Sequence, residues 1–175
     1  MGVRSMDEKL QLAVNAARDR FAASVQEFRG EVTLITPAES IVELMRTLRD
    51  EFGFDQLVDV TAVDYFPRQT PRFHVVYHVR VLAKSLVLCV RVPLDGNAPR
   101  LSTVEGVYPG ANWYEREVYD MFGITFTGHS DMRRIIMPQD WQGHPLRKDY
   151  PLGYEEVQYT FNFDQISVRK PHPKE

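Results

Sequence analysis

The chain has 175 residues, with 21 Lys+Arg against 24 Asp+Glu for a net charge of -3, and is 43% hydrophobic and 26% charged. At ~100–200 residues per domain, this is one domain with a single sizeable core and room for an extension. The composition excludes collagen-like, low-complexity and wholly disordered chains, and the mild acidity gives no general attraction to nucleic acid or anionic membrane.

Ser5 and Glu8 have capping-box spacing and open a helix. Leu10, Val14, Ala17, Phe21, Val25 and Phe28 then recur every three or four residues, and Gly30 is placed to stop it. Residues 31–36 read as a short strand. Thr36, Pro37 and Glu39 signal a second helix with Pro at its first position. Ile41, Leu44, Met45, Leu48 and Phe52 form its buried face, and Gly53 ends it.

Three strands follow. Residues 57–66 are rich in Val and Thr. Residues 72–82 alternate, with Phe73, Val75, Tyr77, Val79 and Val81 on one face and Arg72, His74, His78 and Arg80 on the other. A tight turn at Ala83 and Lys84 leads to residues 85–92, with Leu86, Leu88, Val90 and Val92 in phase. Two alternating runs so closely joined predict an antiparallel hairpin. One sheet face is then covered by the two helices and the other is partly polar. The fold class is α+β: a two-layer αβαβββ domain with a mixed or antiparallel sheet.

Beyond Pro93 and an Asp95-Gly96-Asn97 loop, Asn112 and Glu115 repeat the capping-box spacing. They predict a short helix over 113–122, closed by Gly123. From there to Glu175 no period of 2 or 3.6 persists, and five prolines punctuate the segment. It nonetheless carries Ile135, Ile136, Met137, Trp141, Leu146, Tyr150, Leu152, Tyr154 and Tyr159, which a disordered linker would lack. The expected division is an N-terminal helix over 1–30, a core with the short helix over 31–128, and an arm over 129–175 that folds against something.

The single cysteine, Cys89, excludes an intrachain disulfide and a Cys-rich zinc site. It also excludes a cluster of the usual kind, which takes about four thiolates or two with two His. An unpaired thiol fits a reducing compartment, and its place between Leu88 and Val90 predicts a packed side chain. No run approaches the ~18–20 apolar residues of a membrane span. MGVRSMDEKL turns polar where a signal peptide needs apolar residues; Met6 is an alternative start. His74 and His78 share a strand face ~13 Å apart, too far for one ion. His129 and His144, with Asp131, Asp140 and Asp149, could be drawn into a metal site, but each more simply fixes irregular backbone. Gly123 to Ser130 mimics a phosphate loop, but His129 replaces its Lys and no helix follows.

The densest feature is Glu115-Arg116-Glu117-Val118-Tyr119-Asp120-Met121-Phe122. Arg116 and Asp120 have i,i+4 spacing, and Trp113, Tyr114, Tyr119 and Phe122 leave little of the helix free for solvent. Downstream Arg133-Arg134 and Arg147-Lys148 could pair with the helix acids and pin the arm.

Glu115-Arg116-Glu117-x-x-Asp120-Met121-Phe122, then His129 and Arg133 to Pro138, then Asp140-Trp141-x-Gly143-His144-Pro145-Leu146-Arg147-Lys148-Asp149-Tyr150-Pro151-Leu152, resembles the signature of one family. It is the C subunit of proton-translocating NADH:quinone oxidoreductase, respiratory complex I, known in mitochondria as the 30 kDa subunit. Ser130 stands where that family usually has Pro. The likeness extends over Glu31 to Leu152, and the chain ends too soon after the arm for the form fused to the next, larger polypeptide.

The resemblance implies a non-catalytic subunit of the hydrophilic arm, peripheral on the cytoplasmic face of the bacterial membrane. It implies no catalytic, cofactor-binding or metal residue here, with FMN, iron–sulfur clusters and quinone in other subunits. The implied partners are the large quinone-site (D) subunit and its iron–sulfur neighbours, the B and I subunits. Glu115, Arg116, Glu117, Asp120, His129, Arg133, Arg134, Trp141, His144, Arg147, Lys148, Asp149 and Tyr150 become the expected structural and docking signature. The alternatives are the equivalent subunit of a membrane-bound hydrogenase or deazaflavin-coenzyme dehydrogenase, and a free-standing metal enzyme built on the two histidines.

Overall fold

A computed structural model of the chain describes residues 8–84, 86–96, 98–151 and 159–168. The expected Ser5 cap, Asn97 of the expected loop and the arm residues Leu152 and Tyr154 lie outside the described residues.

Helix α1 (Glu8–Phe21) buries Leu10, Ala13, Val14 and Ala17. It stops at Phe21, well before Gly30, because Ala22 takes a left-handed φ of 51° and the Ala23 N–H turns back to the Ala17 carbonyl at 3.3 Å. Val25 and Phe28, helical by their spacing, belong instead to strand β1 (Ser24–Phe28). Short-range spacing continued the helical period by chance over a segment whose pairing partner lay ahead. That partner is β2 (Glu31–Ile35), antiparallel to β1 with Phe28 opposite Glu31. The two-residue link, Arg29 (φ 53°) and Gly30 (φ 83°), has positive φ at both positions, as a type I′ hairpin turn requires.

A 3-10 turn at Ala38–Ser40 precedes α2 (Ile41–Asp50). The Thr36 hydroxyl is buried without a hydrogen-bond partner, so it does not cap this helix. Ile41, Leu44, Met45 and Leu48 are fully buried, and Gly53 (φ 66°) ends the turn with its N–H on the Arg49 carbonyl.

Strands β3 (Gln56–Asp64), β4 (Phe73–Val81) and β5 (Leu86–Leu94) complete a five-stranded mixed sheet of order β1-β2-β5-β4-β3. The β4–β5 pair is the expected antiparallel hairpin, joined through a 3-10 turn at Leu82–Lys84. β2 and β5 are parallel. A bulge between Leu57 and Asp59 interrupts edge strand β3, which discourages further strand pairing there.

Phe73, Val75, Tyr77 and Val79 of β4 and Leu88, Val90 and Val92 of β5 are fully buried in one continuous core with α1, α2 and a third helix, α3 (Ala111–Phe122). α3 packs along β3, and the Tyr108 hydroxyl donates to the Phe54 carbonyl to tie the approach to α3 onto the end of α2. On the outer face His78 meets Asp59 at 2.7 Å. His74 is buried beside the edge of Tyr65 with neither ring nitrogen paired. Cys89 lies on this outer face and is half-buried there, not in the core, and burial pushes its thiol up. Arg72 sits just before β4, and its guanidinium lies between the Phe66 and Phe73 rings, off the outer face to which strict alternation assigned it.

Two short strands were not legible in the sequence. β6 (Arg100–Ser102) and β7 (Thr125–Thr127) pair in parallel, with α3 as their crossover. A five-residue helix, α4 (Phe163–Ser167), interrupts the arm. The α+β class stands, with a mixed sheet and helices packed on it; the main sheet has one strand more than αβαβββ, and β6 and β7 make a second, two-stranded sheet.

A candidate docking clasp around helix α3

α3 begins without a side-chain cap. Its N-cap is Gly110, and Asn112 lies inside the helix, its Nδ2 donating to Glu105 and to the Ser130 hydroxyl. The capping-box reading of Asn112 and Glu115 therefore fails. Glu115 turns inward and is fully buried, accepting hydrogen bonds from the Thr103 hydroxyl and, at 2.8 Å, the Val104 N–H. Burial pushes its carboxyl up to about 7 in spite of those two donors. His129 Nε2 is 3.9 Å from it, but that nitrogen meets the Asn112 carbonyl at 3.1 Å while Nδ1 accepts the Asp131 N–H at 2.9 Å. Both ring nitrogens are thus engaged with backbone groups rather than with the Glu115 carboxyl.

Asp120 is the hub. It is fully buried and does not pair with Arg116, as the i,i+4 spacing suggested. One oxygen takes Arg134; the other accepts the Ile135, Ile136 and Met137 N–H groups at 3.2, 2.8 and 2.9 Å. Burial alone would raise this carboxyl, but Met137, Arg134, Ile136 and Ile135 together hold it below the usual carboxylate range. One side chain thus satisfies three backbone donors of a segment that forms no ladder. Arg134 continues to the Trp141 and Gly143 carbonyls, each at 3.0 Å.

α3 ends at Gly123, whose φ of 73° favours glycine and whose N–H caps the Tyr119 carbonyl at 2.8 Å. A Cβ here would lie 2.5 Å from His144 Cδ2 and 2.7 Å from Arg147 Nη2. His144 Nδ1 donates to the Asp120 carbonyl at 3.0 Å, and burial lowers its pKa. Arg147 Nε donates to the Phe122 carbonyl and its guanidinium lies over Phe73. The Leu146 N–H reaches the Met121 carbonyl at 3.0 Å. The arm thereby supplies donors to the helix's otherwise free C-terminal carbonyls.

A second knot joins arm to sheet. Arg72 holds Asp64 and Asp149 at 2.8 and 2.7 Å, and the Lys148 N–H donates to Asp64 at 2.9 Å. Burial raises the Asp64 carboxyl, but Arg72 and the Lys148 and Phe66 N–H groups outweigh it and bring it to about 2.

The remaining signature residues are more peripheral. Arg116 Nε donates to the Arg133 carbonyl at 3.0 Å, Arg133 forks onto Asp131, and Glu117 is exposed and joins none of these contacts. Trp141 keeps its indole N–H buried without a partner, and the Tyr150 hydroxyl reaches the Gln142 carbonyl at 3.4 Å. Among the described residues, no three His, Cys, Asp or Glu side chains converge as a metal site, and His129 and His144 are engaged with backbone.

The Asp120 clasp falls inside residues 34–156, which match the family described as "Respiratory-chain NADH dehydrogenase, 30 Kd subunit". The chain belongs to that family.

The chain is 49% identical over 151 residues to the C subunit of NADH-quinone oxidoreductase from Roseiflexus sp. (strain RS-1), covering 85% of this chain and 86% of that one. It is 46% identical to the protein of the same name from Rhodobacter capsulatus, covering 95% of this chain and 88% of that one. Among solved structures, a trypsin-resistant fragment of Nqo5 superposes with a TM-score of 0.65 at 32% identity, over 70% of this chain and 98% of that one. The archaeal membrane-bound sulfane sulfur reductase contains a chain of like fold, TM-score 0.71 at 22% identity, over 94% of this chain and 95% of that one. For this 30 kDa-type subunit, sequence reasoning missed Asp64, Arg72, Thr103 and Glu105 as members of the clasp. Asp64 and Arg72 lie far along the chain from Lys148 and Asp149, and Glu105 from Ser130, so the fold brings them together; Thr103 and Glu105 also meet α3 across a loop that no periodic pattern marks.

Proposed function

We propose that this chain is the non-catalytic 30 kDa-type subunit of a proton-translocating NADH–quinone oxidoreductase, peripheral on the cytoplasmic face of the membrane. Its arm clasps the large quinone-site subunit, with the iron–sulfur subunits adjacent. FMN, clusters and quinone belong to other subunits in this reading. The observation that carries it is the Asp120 hub: the signature's buried charges fasten an irregular segment to the core. That segment presents Ile135, Ile136 and Leu146 outward, 37–54% exposed, as a surface shaped to be covered. The names of the relatives support the same reading.

The test is complementation of a strain lacking the chain. Wild type should restore both complex on a native gel and NADH:quinone reductase activity of the membranes. Asp120→Ala should lose the two in proportion. Normal complex content with abolished turnover would give this chain a catalytic part and overturn the reading, as would stoichiometric flavin or iron in the natively purified chain.

A further inference from the structure

We infer that Trp113 and Arg116 of α3 form a receptor for an acidic side chain of the partner subunit, the carboxylate forking onto the Arg116 guanidinium beside an apolar contact on the indole. The inference rests on the docking role proposed above and names the chemistry of what docks.

Arg116 is only 9% exposed, yet no carboxylate pairs with it among the described residues. Its Nε donates to the Arg133 carbonyl, and its guanidinium carbon lies 5.1 Å from the centre of the Trp113 ring. The nearby acids are engaged elsewhere. Glu115 faces Thr103 and Val104. Asp120 is taken by Arg134 and three N–H groups, and Asp131 is held in the fork of Arg133, with Arg116 near enough to lower its carboxyl through charge but not hydrogen-bonded to it. Glu117 follows Arg116 directly but points about 100° away around the helix. A guanidinium is always charged and carries five donors, of which Arg116 uses one here. A nearly buried cation with its fork unfilled matches a carboxylate, bidentate and charge-assisted.

The surroundings fit a binding hot spot, which typically couples Trp or Arg to a rim that excludes water. Trp113 is 64% exposed although its ring is fixed against Arg116. Positions 113, 116 and 120 lie along one helix stripe, and segment 133–137 runs beside it from the Arg133 carbonyl to the Asp120 carboxylate. Trp113 on the helix and Ile135 and Ile136 on the segment beside it thus leave apolar side chains exposed on either side of the Arg116–Arg133 attachment.

The experiment uses the whole complex, purified through a tag on another subunit. In one strain Arg116→Lys supplies an amine that a water-soluble carbodiimide condenses with an adjacent carboxylate. In another a benzophenone amino acid replaces Trp113 and Arg116 is left native. The expected result is a cross-link from position 116 to an Asp or Glu of another subunit, with the benzophenone adduct on a peptide containing that residue. Trp113→Ala should weaken retention of the chain about 30-fold, as hot-spot truncations do. Both probes reacting only within this chain, for instance with Glu117 or Asp131, would overturn the receptor and leave the docking role standing. A wild-type chain that fails to co-purify would overturn the docking role and the receptor with it.

Discussion

Glu115 and Asp120 are both fully buried on one helix, and their surroundings move their protons in opposite directions. Asp120 is depressed, so its stabilisation is present above the ordinary carboxylate range and is lost as pH falls below it. Asp64 behaves likewise, its contribution fading toward pH 2. Glu115 is raised from 4.5 to about 7, so its folded state favours the protonated form. Its contribution is complete below pH 4.5 and disappears as pH rises through 7, a difference of about 3 kcal/mol at 1.36 kcal/mol per unit. His74 and His144, both lowered by burial, act the other way below pH 6.5. The informative quantity is therefore the difference between wild type and Glu115→Gln in urea unfolding from pH 5 to 8. The amide keeps an acceptor for the Val104 N–H. Wild type should lose stability relative to the variant as pH rises, and a constant difference would show that Glu115 does not titrate in that window. For Asp120→Ala the expected loss is about 3–5 kcal/mol, since Arg134 is left buried without its partner, together with new tryptic cleavage after Arg133 and Arg134.

At the scale of elements, the end of α3 and the arm hold each other. Gly123→Ala would place a methyl against the His144 ring and the Arg147 guanidinium at a φ of 73°. A left-handed alanine costs roughly 1–2 kcal/mol before any displacement of those side chains. The variant should release the arm first, which limited proteolysis after Arg147 would report while the core resists. Unchanged protease sensitivity would mean that the Gly123 contacts do not govern the arm. The sheet offers a contrast. Leu44 of α2 is fully buried in the apolar core, so Leu44→Ala should lower global stability by about 2–5 kcal/mol without selectively freeing the arm, as denaturant midpoints and the proteolysis pattern together would show.

Over the whole molecule, core and arm divide the work. The sheet and helices α1, α2 and α3 close one apolar core, whereas residues 133–149 attach mainly through ion pairs and backbone hydrogen bonds, with Met137 packed on the core and Ile135, Ile136 and Leu146 left outside. Deleting residues 139–175 should therefore leave the core folded, since Arg72 and Asp64 still pair, but with Phe73 and the α3 C-terminus uncovered. The truncated chain should keep its circular dichroism and lose its place in the complex. Co-purification at full yield would show that the arm is not the clasp.

What the sequence determined by itself is what depends on short spacings. Apolar alternation placed β4 and β5 in their faces, the three-and-four period placed the buried side of α2, and the uninterrupted forty-residue motif pointed to the family. Where spacing was ambiguous it misled. Val25 and Phe28 continue a helical period yet pair with β2, because a hairpin's partner strand lies beyond any local window. The tertiary structure alone decided how the charged residues of the motif are used. Arg116 and Asp120 are correctly spaced to pair, yet Asp120 turns to Arg134 and three backbone N–H groups. Asp64 and Arg72, far back along the chain from the arm, hold Lys148 and Asp149. A buried carboxylate takes the arrangement that satisfies most donors, and which donors reach it is set by the fold rather than by nearness along the chain.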